Sequence, residues 1–355
     1  MTPTFDKIHS KFKLNRNSYN TEELKEVAYS LVKEGEDYEK IMGDFLMDWL
    51  DAKDYINVRT SGSTGKPKLM KVSKQAMVNS SIATGNYFKM EPGQKALLCL
   101  PTHYIAGKMM LVRAMILGLE LDFVDPTSQP VFDYDRQYDF CAMVPLQLQN
   151  KLGDINNIKT LIIGGAAISK SLEAAIQNLK TKIYATYGMT ETVSHIAVKT
   201  MNGSKKMGYF KVIPKVTISQ DERGCLVIEA PKLTSERLVT NDVVKLHSPT
   251  EFEIIGRIDN MVNSGGVKLF PEQIEAKLSN IINKRFFIAS EPDSDLGEKL
   301  ILILESENNN LNASTFKSLG KLEVPKEIYT LPKFKETATG KIQRKETLKL
   351  LQKKV

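Results

Sequence analysis

Several features that the sequence lacks narrow the range of its functions. Its three cysteines, Cys99, Cys141 and Cys225, lie far apart and outside any CxxC spacing, so neither a disulfide framework nor a zinc site is indicated. No apolar run approaches the ~20 residues needed to cross a bilayer, and the polar N-terminus has no apolar core of a secretory signal. These absences predict a soluble, cytoplasmic protein without a membrane span.

Charge and size leave two broad classes of function open. The chain has 355 residues, 42% of them hydrophobic, and at roughly 150 residues per domain this length predicts about two domains. The net charge of +7 suits an anionic ligand as well as a nucleic acid. A non-catalytic nucleotide sensor or nucleic-acid binder is therefore one alternative. Over residues 341–355, however, no aromatic residue lies among the lysines, so we expect no nucleic-acid partner.

Two amphipathic helices are predicted near the N-terminus. Asn20 and Glu23 form a capping-box pattern that starts the first helix. The second helix carries Ile41, Phe45 and Trp49 on one face.

Short apolar runs then alternate with helical stretches such as 171–179, which is typical of an α/β domain with a largely parallel sheet. The strands predicted in this part are 96–100, 121–124, 140–144, 161–163 and 183–186. Closer spacing of the runs at 216–218, 226–230, 243–246 and 252–255 predicts an antiparallel β region.

A helix with Ile274, Leu278 and Ile281 on one face is predicted after Pro271, followed by a strand over 300–305. We place the domain boundary between residues 257 and 258. The expected domains are therefore 1–257 and a smaller C-terminal domain over 258–355.

A loop over residues 60–68 combines two glycines, four hydroxyls and two following lysines. Glycines let backbone N–H groups converge on an anion, and the lysines add positive charge, so the composition suits a polyphosphate. Gly62 and Gly65 are two residues too close for a Walker A motif, and proline follows Lys66. Taken alone, the segment is equally well a Ser/Gly-rich turn between strands.

Six segments together occur in the order and spacing of one superfamily. They are 60–68, Gly164-Gly-Ala166, Tyr187-Gly-Met-Thr-Glu191, Thr240-Asn-Asp242, Gly256-Arg-Ile-Asp259 with Ser264-Gly-Gly266, and Thr339-Gly-Lys-Ile-Gln-Arg344. From about residue 55 to its end, the sequence resembles the acyl-adenylate-forming (AMP-binding) superfamily of acyl-CoA synthetases, luciferases and nonribosomal adenylation domains.

The resemblance implies a shortened form of that fold and a two-step reaction. A large N-terminal α/β domain with a β-rich subdomain would precede a small, mobile α+β domain. The enzyme would use ATP and Mg²⁺ to form an acyl-AMP with release of pyrophosphate, and a thiol would then take the acyl group. The glycine-rich loop lies early in the chain, so the usual distal first subdomain is expected to be missing; a homodimer is left open.

Roles of individual residues are also implied by the resemblance. Nucleotide-binding residues would be Ser61, Gly62, Ser63, Thr64, Gly65 and Lys68 at the β- and γ-phosphates, Gly164, Gly165 and Ala166 along the nucleotide slot, Tyr187 on adenine, and Asp242 and Arg257 at the ribose. Catalytic residues would be Thr190 at the α-phosphate, Glu191 as the Mg²⁺ ligand, and Lys341 as the cation that bridges the carboxylate and the α-phosphate. Asp259 would be the hinge, and Gly265 and Gly266 would line a pantetheine tunnel, although they also suit a simple β-turn.

The acid is suggested by the string over residues 187–195, which looks most like the 2-succinylbenzoate:CoA ligases of menaquinone biosynthesis. That acid has two carboxylates, so one needs a cation while the other reacts. Lys108 and Arg113 are the candidates, although each could equally face solvent. His103 lies where the superfamily places a residue against the acid; a core histidine is the alternative.

The expected function is therefore an acid:CoA ligase, with free coenzyme A as the acceptor. Two enzymatic alternatives remain, a CoA ligase for another aryl or medium-chain acid and a stand-alone enzyme that loads a carrier protein.

Overall fold

The computed structural model describes residues 3–59, 69–336 and 342–352. Two units are distinguished, of which the first comprises Met1–Ala167, Ala175–Thr217 and Ile228–Leu238, and the second Ile168–Ala174, Ile218–Val227 and Val239–Val355. These bounds do not coincide with a division at residue 257. The predicted boundary between two functional domains at residues 257 and 258 therefore stays a prediction.

The N-terminal helices of the first unit form largely as predicted. Helix α1 (Thr21–Glu34) begins at Asn20, and the Asn20 and Glu23 side chains accept each other's backbone N–H groups in a capping box. Such a cap contributes about 1 kcal/mol. Helix α2 (Asp37–Leu50) crosses α1 at Gly43, where a Cβ would lie 2.6 Å from the carbonyl oxygen of Ala28.

The predicted buried face of α2 is partly wrong. Phe45 and Trp49 are buried, together with Met42 and Leu46, but Ile41 is 36% exposed. The apolar stripe is wider than the face that α1 and the core cover, and periodicity alone does not fix which edge of it stays in solvent.

A parallel sheet forms the centre of the first unit, as predicted. Its strands are β5 (Lys95–Leu98), β6 (Glu120–Phe123), β7 (Tyr138–Met143), β8 (Ile158–Ile163) and β9 (Lys182–Gly188). They neighbour one another in the order β9-β8-β7-β5-β6, and every pair is parallel. The helices among these elements are α3 (Lys74–Phe88), α4 (Ile105–Leu117) and α5 (Pro145–Asn150). The helix predicted over 171–179 is shorter and ends at residue 175, as α6 (Lys170–Ala175).

Both edges of this sheet are extended. On the β9 side follow β10 (His195–Thr200) and β11 (Phe210–Val212), which are antiparallel. On the β6 side, β1 (Lys13–Leu14) pairs in parallel with β6, and β2 (Asn17–Ser18) pairs with β1. The sequence analysis missed β1 and β2, because two-residue strands carry no periodicity.

A separate antiparallel pair, β3 (Tyr55–Arg59) and β4 (Leu69–Ser73), flanks residues 60–68. Its register brings Arg59 opposite Leu69, so the two stems of the glycine-rich segment are held side by side.

The second unit contains the predicted antiparallel strands. They run in the order β12 (Thr217–Gln220), β13 (Cys225–Glu229), β14 (Leu238–Ser248) and β15 (Glu251–Arg257). A five-stranded sheet follows, made of β16 (Val262–Ser264), β17 (Val267–Leu269), β18 (Phe286–Asp293), β19 (Gly297–Glu305) and β20 (Glu327–Leu331), with helices α7 (Pro271–Leu278) and α8 (Arg344–Gln352).

Helix α7 starts at Pro271 and buries Ile274 and Leu278, as expected. Ile281 does not belong to this face: the helix ends at Leu278, Ile281 is 46% exposed, and Ile282 is buried instead. The spacing of apolar residues predicts a shared face only within a helix, and Ile281 lies beyond the end of α7. Within the described ranges, no helix is long and apolar enough to cross a membrane.

Candidate functional site

Seven of the predicted site residues lie outside the described residues. They are Ser61, Gly62, Ser63, Thr64, Gly65, Lys68 and Lys341. Their roles stay predictions. The other predicted residues fall into two groups, one in each unit, and each group is taken within its own unit.

The two glycines after β8 each have a local structural reason, and their place along the nucleotide slot stays a prediction. Gly165 has a φ of +85°, which disfavours other residues. A Cβ at Gly164 would lie 2.7 Å from the hydroxyl of Thr186. Gly165 and Ala166 are exposed, so their backbone is accessible to a ligand.

Strand β9 carries Tyr187 at its end, with the ring 9% exposed and 6.1 Å from the Phe210 ring. The next residue, Gly188, is required by packing, because a Cβ there would lie 2.3 Å from the carbonyl oxygen of Ser194. The adenine contact of Tyr187 stays a prediction.

The segment after Gly188 is a tight loop that presents Thr190 and Glu191. Both belong to a 3-10 turn, Thr190–Thr192, in which Glu191 is exposed. The buried Thr192 hydroxyl accepts the N–H of Met189 and lies 2.8 Å from the carbonyl oxygen of Ser194. This hydroxyl fixes the shape of the loop, a role that sequence reasoning did not assign.

Backbone strain is stored in the same loop. Val193 has φ +67° and ψ −53°, and the Ser194 N–H donates to the carbonyl of Thr192 at 2.7 Å, which is a γ-turn. A β-branched residue in this region costs on the order of 1–3 kcal/mol. The strained turn sets the direction in which the Ser194 side chain leaves the chain.

Arg113 lies beside this loop in a cluster that the sequence did not reveal. Arg113 is only 2% exposed, and its Nη2 donates to the Ser194 hydroxyl at 3.3 Å. The Ser194 hydroxyl also lies 2.7 Å from the Ser80 hydroxyl of α3. The Nε of Arg113 has no hydrogen-bond partner, and no carboxylate pairs with the guanidinium within the part of the chain that the structure describes.

His195 completes the cluster and is neutral. It is 6% exposed, and its Nε2 lies 3.4 Å from the hydroxyl of Thr84. Burial, reinforced by the charge of Arg113, lowers the pKa of His195 to about 3. Burial also lowers the pKa of Arg113 to about 10, so Arg113 still carries its charge at neutral pH. The cluster is a buried positive charge surrounded by hydroxyls and one neutral imidazole.

Lys108, the other predicted candidate, is placed differently. Its Nζ lies 4.6 Å from the centre of the Phe45 ring on α2. Burial lowers the pKa of Lys108 to about 8, against the opposing effect of Asp48 and Asp44. Neither Lys108 nor Arg113 faces solvent, but only Arg113 has a hydrogen bond to the 187–195 segment.

His103 stands in the loop before α4 and is half-buried, with its ring edge-on to Tyr104 at 5.3 Å. Helix α4 can start this close to the loop only because residue 107 is glycine, where a Cβ would lie 2.4 Å from the carbonyl oxygen of Pro101. The contact of His103 with an acid stays a prediction.

In the second unit, Arg257 lies between two carboxylates. Its Nη1 donates to Asp242 at 3.0 Å and its Nη2 to Asp259 at 2.6 Å. Asn241 also donates to Asp259, at 3.1 Å. Burial pushes the pKa of Asp259 upward, but the hydrogen bond and charge of Arg257 outweigh it and hold this pKa below its ordinary value.

Asp242 and Arg257 are a cross-strand pair, because Asp242 lies within β14 directly opposite Arg257 on β15. Asn241 likewise lies in β14, and its φ is not positive, so the strand there needs no left-handed residue. The predicted ribose residues and the predicted hinge residue are thus in direct contact.

Gly265 and Gly266 form the two-residue turn between β16 and β17. Their φ angles are +58° and +81°, and Ser264 pairs with Val267 across the turn. The turn explains both glycines as local structure, so their place in a pantetheine tunnel stays a prediction.

One exposed carboxylate is available for magnesium, and its role as the ligand stays a prediction. The Glu191 carboxylate is exposed and has no ion pair or hydrogen bond among the described residues. Mg²⁺ in nucleotide sites commonly takes one or two carboxylates, with substrate phosphates and waters supplying the other ligands. Glu191 would hold the ion in that way, and the ion would neutralise charge on the phosphate oxygens.

Comparisons with known proteins bear on this arrangement. The family described as "AMP-binding enzyme" matches residues 16–227. An acyl-CoA synthetase (AMP-forming)/AMP-acid ligase II-like protein from Dyadobacter fermentans is 36% identical, with a TM-score of 0.62, covering 92% of this chain and 98% of that one.

Two further relatives are more distant. A 2-succinylbenzoate:CoA ligase from Enterococcus faecalis is 24% identical over 80% of this chain and 67% of its own length. The O-succinylbenzoate coenzyme A synthetase of Bacillus subtilis, solved with ATP and magnesium ion, is 18% identical with a TM-score of 0.72, covering 93% of this chain and 82% of that one.

An ATP-using α/β enzyme is the class that this fold defines. The chain belongs to the AMP-binding enzyme family. The predicted fold class and family are therefore confirmed, as is the expectation of an acyl-CoA synthetase rather than a sensor or a nucleic-acid binder.

Proposed function

We propose that the protein is an ATP-dependent acid:CoA ligase that acts on 2-succinylbenzoate, in menaquinone biosynthesis. In the first step a carboxylate oxygen attacks the α-phosphorus of ATP and pyrophosphate leaves. In the second, the sulfur of coenzyme A attacks the acyl carbonyl of the acyl-AMP and AMP leaves. The family and the curated ligases that the chain resembles support this reaction.

The observation that carries the choice of acid is the environment of Arg113. A buried guanidinium without a carboxylate costs free energy unless an anion joins it. Arg113 meets the 187–195 segment through Ser194, next to the loop that presents Thr190 and Glu191. An acid with a second carboxylate would place that group on Arg113 while its first carboxylate reacts.

Lys108 is the weaker candidate for this contact. Its ammonium group lies over the Phe45 ring and is influenced by Asp44 and Asp48, so its charge is already accommodated on the α2 side. Of the two residues that the sequence singled out, we assign the second carboxylate to Arg113.

We assign binding of the nucleotide to the other predicted site residues. Gly164, Gly165 and Ala166 would admit the nucleotide because two of them expose their backbone, and Tyr187 would contact adenine. Asp242 and Arg257 would take the ribose, and Lys341 would stabilise the charge that develops at the α-phosphate. Catalysis of this kind depends on positioning and charge neutralisation.

Acid-dependent ATP–pyrophosphate exchange tests the proposal. 2-Succinylbenzoate should support exchange, and benzoate, phenylpropionate and octanoate should not; Lys341→Ala should abolish it. Exchange with one of the other acids would keep the reaction and reject the substrate. No exchange with any acid would reject the ligase.

The acceptor is tested separately. Coenzyme A should be acylated in the complete reaction without any carrier protein. If pantetheinylated carrier protein alone were acylated, the protein would be a carrier-loading enzyme. A cytoplasmic location and a homodimer remain predictions, to be checked by cell fractionation and by sedimentation.

A further inference from the structure

The predicted ribose residues of the second unit belong to a closed ring of side-chain contacts. Asp242 on β14 accepts a hydrogen bond from Nη1 of Arg257 at 3.0 Å, and Nη2 of Arg257 donates to Asp259 at 2.6 Å. The side-chain amide of Asn241 donates to both carboxylate oxygens of Asp259, at 3.1 and 3.3 Å. Asn241 and Asp242 are neighbours in the chain, so the ring begins and ends on the same strand.

The sheet fixes the backbone from which most of this ring extends. Asp242 lies directly opposite Arg257 in the register of β14 and β15. The N–H of Asp242 also donates to the hydroxyl of Thr240, a residue that is 6% exposed. The strands therefore set where these two side chains start, and the contacts within the ring decide where their charged groups lie.

Asp259 is the member of the ring that no strand holds. It belongs to a single 3-10 turn, Ile258–Asn260, which follows β15 directly. Among the described residues, the carboxylate of Asp259 accepts side-chain hydrogen bonds from Arg257 and from Asn241. Without the amide of Asn241, this carboxylate would be held by the side chain of Arg257 alone.

The position of the Arg257 head group is not determined by its strand, because the side chain is long and 31% exposed. Holding an exposed charged side chain in one geometry costs conformational entropy, so a single ion pair orders it poorly. Here two carboxylates hold two of its nitrogens, and Asn241 holds the second carboxylate. The guanidinium donates to Oδ1 of Asp242, so its position decides which sites of that carboxylate can accept from ribose hydroxyls.

We propose that Asn241 is a positioning residue that acts through Asp259 and holds Arg257 in the arrangement that receives the ribose of ATP. The inference rests on the proposed function, in which Asp242 and Arg257 take the ribose. Asn241 does not need to touch the nucleotide, because its amide orients a carboxylate that in turn orients the guanidinium. Loss of the amide should therefore weaken the binding of nucleotides that carry ribose hydroxyls, and of those alone.

A second contact between the same two strands provides the matched control. Nε2 of His247 on β14 lies 3.5 Å from a carboxylate oxygen of Glu253 on β15. His247→Ala removes a polar side chain that bridges β14 and β15 without touching the ring. Asn241→Ala removes a polar side chain of the same strand that belongs to the ring.

Isothermal titration calorimetry with Mg²⁺ and without any acid compares the binding of ATP with that of 2′,3′-dideoxy-ATP. Asn241→Ala should weaken ATP binding about threefold to tenfold, the effect of one hydrogen bond, and dideoxy-ATP binding less than about twofold. Asn241→Asp has the same shape but no donor and adds a negative charge beside Asp259, so it should weaken ATP binding further. His247→Ala should change neither affinity by more than about twofold.

Two further measurements separate positioning from a general loss of structure. In ATP–pyrophosphate exchange, Asn241→Ala should raise KM for ATP and change kcat by less than about twofold. Carboxyl NMR titration should show a raised pKa of Asp259 in the same variant, because the hydrogen bond from Asn241 helps to lower it. An unchanged pKa would mean that the two side chains are not in contact, and the proposal would be wrong.

The outcomes distinguish this proposal from the proposed function. If Asn241→Ala weakens both nucleotides equally, the residue acts on the fold in general and the positioning role is rejected. If Asp242→Ala abolishes the preference for ATP but Asn241→Ala retains it, the ribose assignment stands and only the positioning role fails. If the unsubstituted protein binds both nucleotides equally, the ribose assignment fails and this proposal fails with it. Should Asn241→Ala not fold, Asn241→Asp provides the same comparison of the two nucleotides.

Discussion

One arginine of the first unit and one of the second are paired in opposite ways. Arg113 in the first unit is 2% exposed, and among the described residues it is bonded only to a hydroxyl and a thioether, with its Nε unpartnered. Arg257 in the second unit is shared between Asp242 and Asp259. A paired guanidinium is satisfied by its own fold, whereas one without a carboxylate remains available to an anionic ligand. In the proposed function, the second carboxylate of the acid supplies the counter-charge that Arg113 lacks among the described residues, whereas Arg257 meets the ribose with its charge already paired.

The largest expected effect concerns pH and the cluster around Arg113. The pKa of His195 falls from 6.5 to about 3 on folding, so between these values the unfolded state binds the extra proton. Stability should therefore drop as pH falls below 6.5, by about 1.4 kcal/mol per pH unit. Urea titrations of the protein and of His195→Gln, which lacks this titration, measure the slope.

The exposed His247 supplies the control, because His247→Gln should retain the full slope. An identical slope in His195→Gln would show that His195 is not the group responsible.

The next largest expected effect is the change in thermal stability when the charge of Arg113 is removed. Taking a single charge out of water costs several kcal/mol unless a counter-charge offsets it, so Arg113→Met should unfold at higher temperature in the absence of ligand. Differential scanning calorimetry gives the midpoint. A clear fall in the midpoint would mean that Arg113 is already paired and that its contrast with Arg257 is unfounded.

For Arg257, by contrast, we expect substitution to lower the stability of the fold. Arg257→Met leaves Asp242 and Asp259 without their shared cation, and since the Arg257 side chain is 31% exposed, the loss should be modest, about 1 kcal/mol. The pKa of Asp259 should rise in the variant, because the main interaction that opposes the effect of burial is then lost. Carboxyl NMR titration measures it; an unchanged Asp259 pKa would contradict the assigned pairing.

The smallest effect is expected at Lys108. Lys108→Met should leave KM for 2-succinylbenzoate within about twofold, equivalent to about 0.4 kcal/mol, since the ammonium group lies over Phe45 rather than near Ser194. Steady-state exchange kinetics measure KM. A tenfold rise in Lys108→Met would transfer the assignment of the second carboxylate from Arg113 to Lys108.

The sequence predicted the framework well, because local signals determine it. The capping box at Asn20, the parallel strands and the start of α7 at Pro271 all follow from caps and periodicity. Predictions of buried side chains failed where the extent of the packing partner or the position of a helix end determines burial, as at Ile41 and Ile281. The cross-strand pair of Asp242 and Arg257 was not predicted either, because the register of β14 and β15 decides it.

Predictions about the site divide in the same way. Motif residues could be named one by one, but the neighbours of Arg113 could not. Ser194 is 81 residues from Arg113 and 114 from Ser80, and only folding of α3 and α4 against β10 brings them together. The half-buried Arg344–Glu275 pair likewise joins residues 69 apart in the chain.

The most direct test of the central claim combines two acids with two proteins. Exchange is measured with 2-succinylbenzoate and with an analogue whose second carboxylate is a methyl group, in the unsubstituted protein and in Arg113→Met. We predict that the substitution lowers kcat/KM about a hundredfold for the diacid, as expected for a lost buried charge contact, and less than about threefold for the analogue. Equal losses with both acids would contradict the claim that Arg113 holds the second carboxylate.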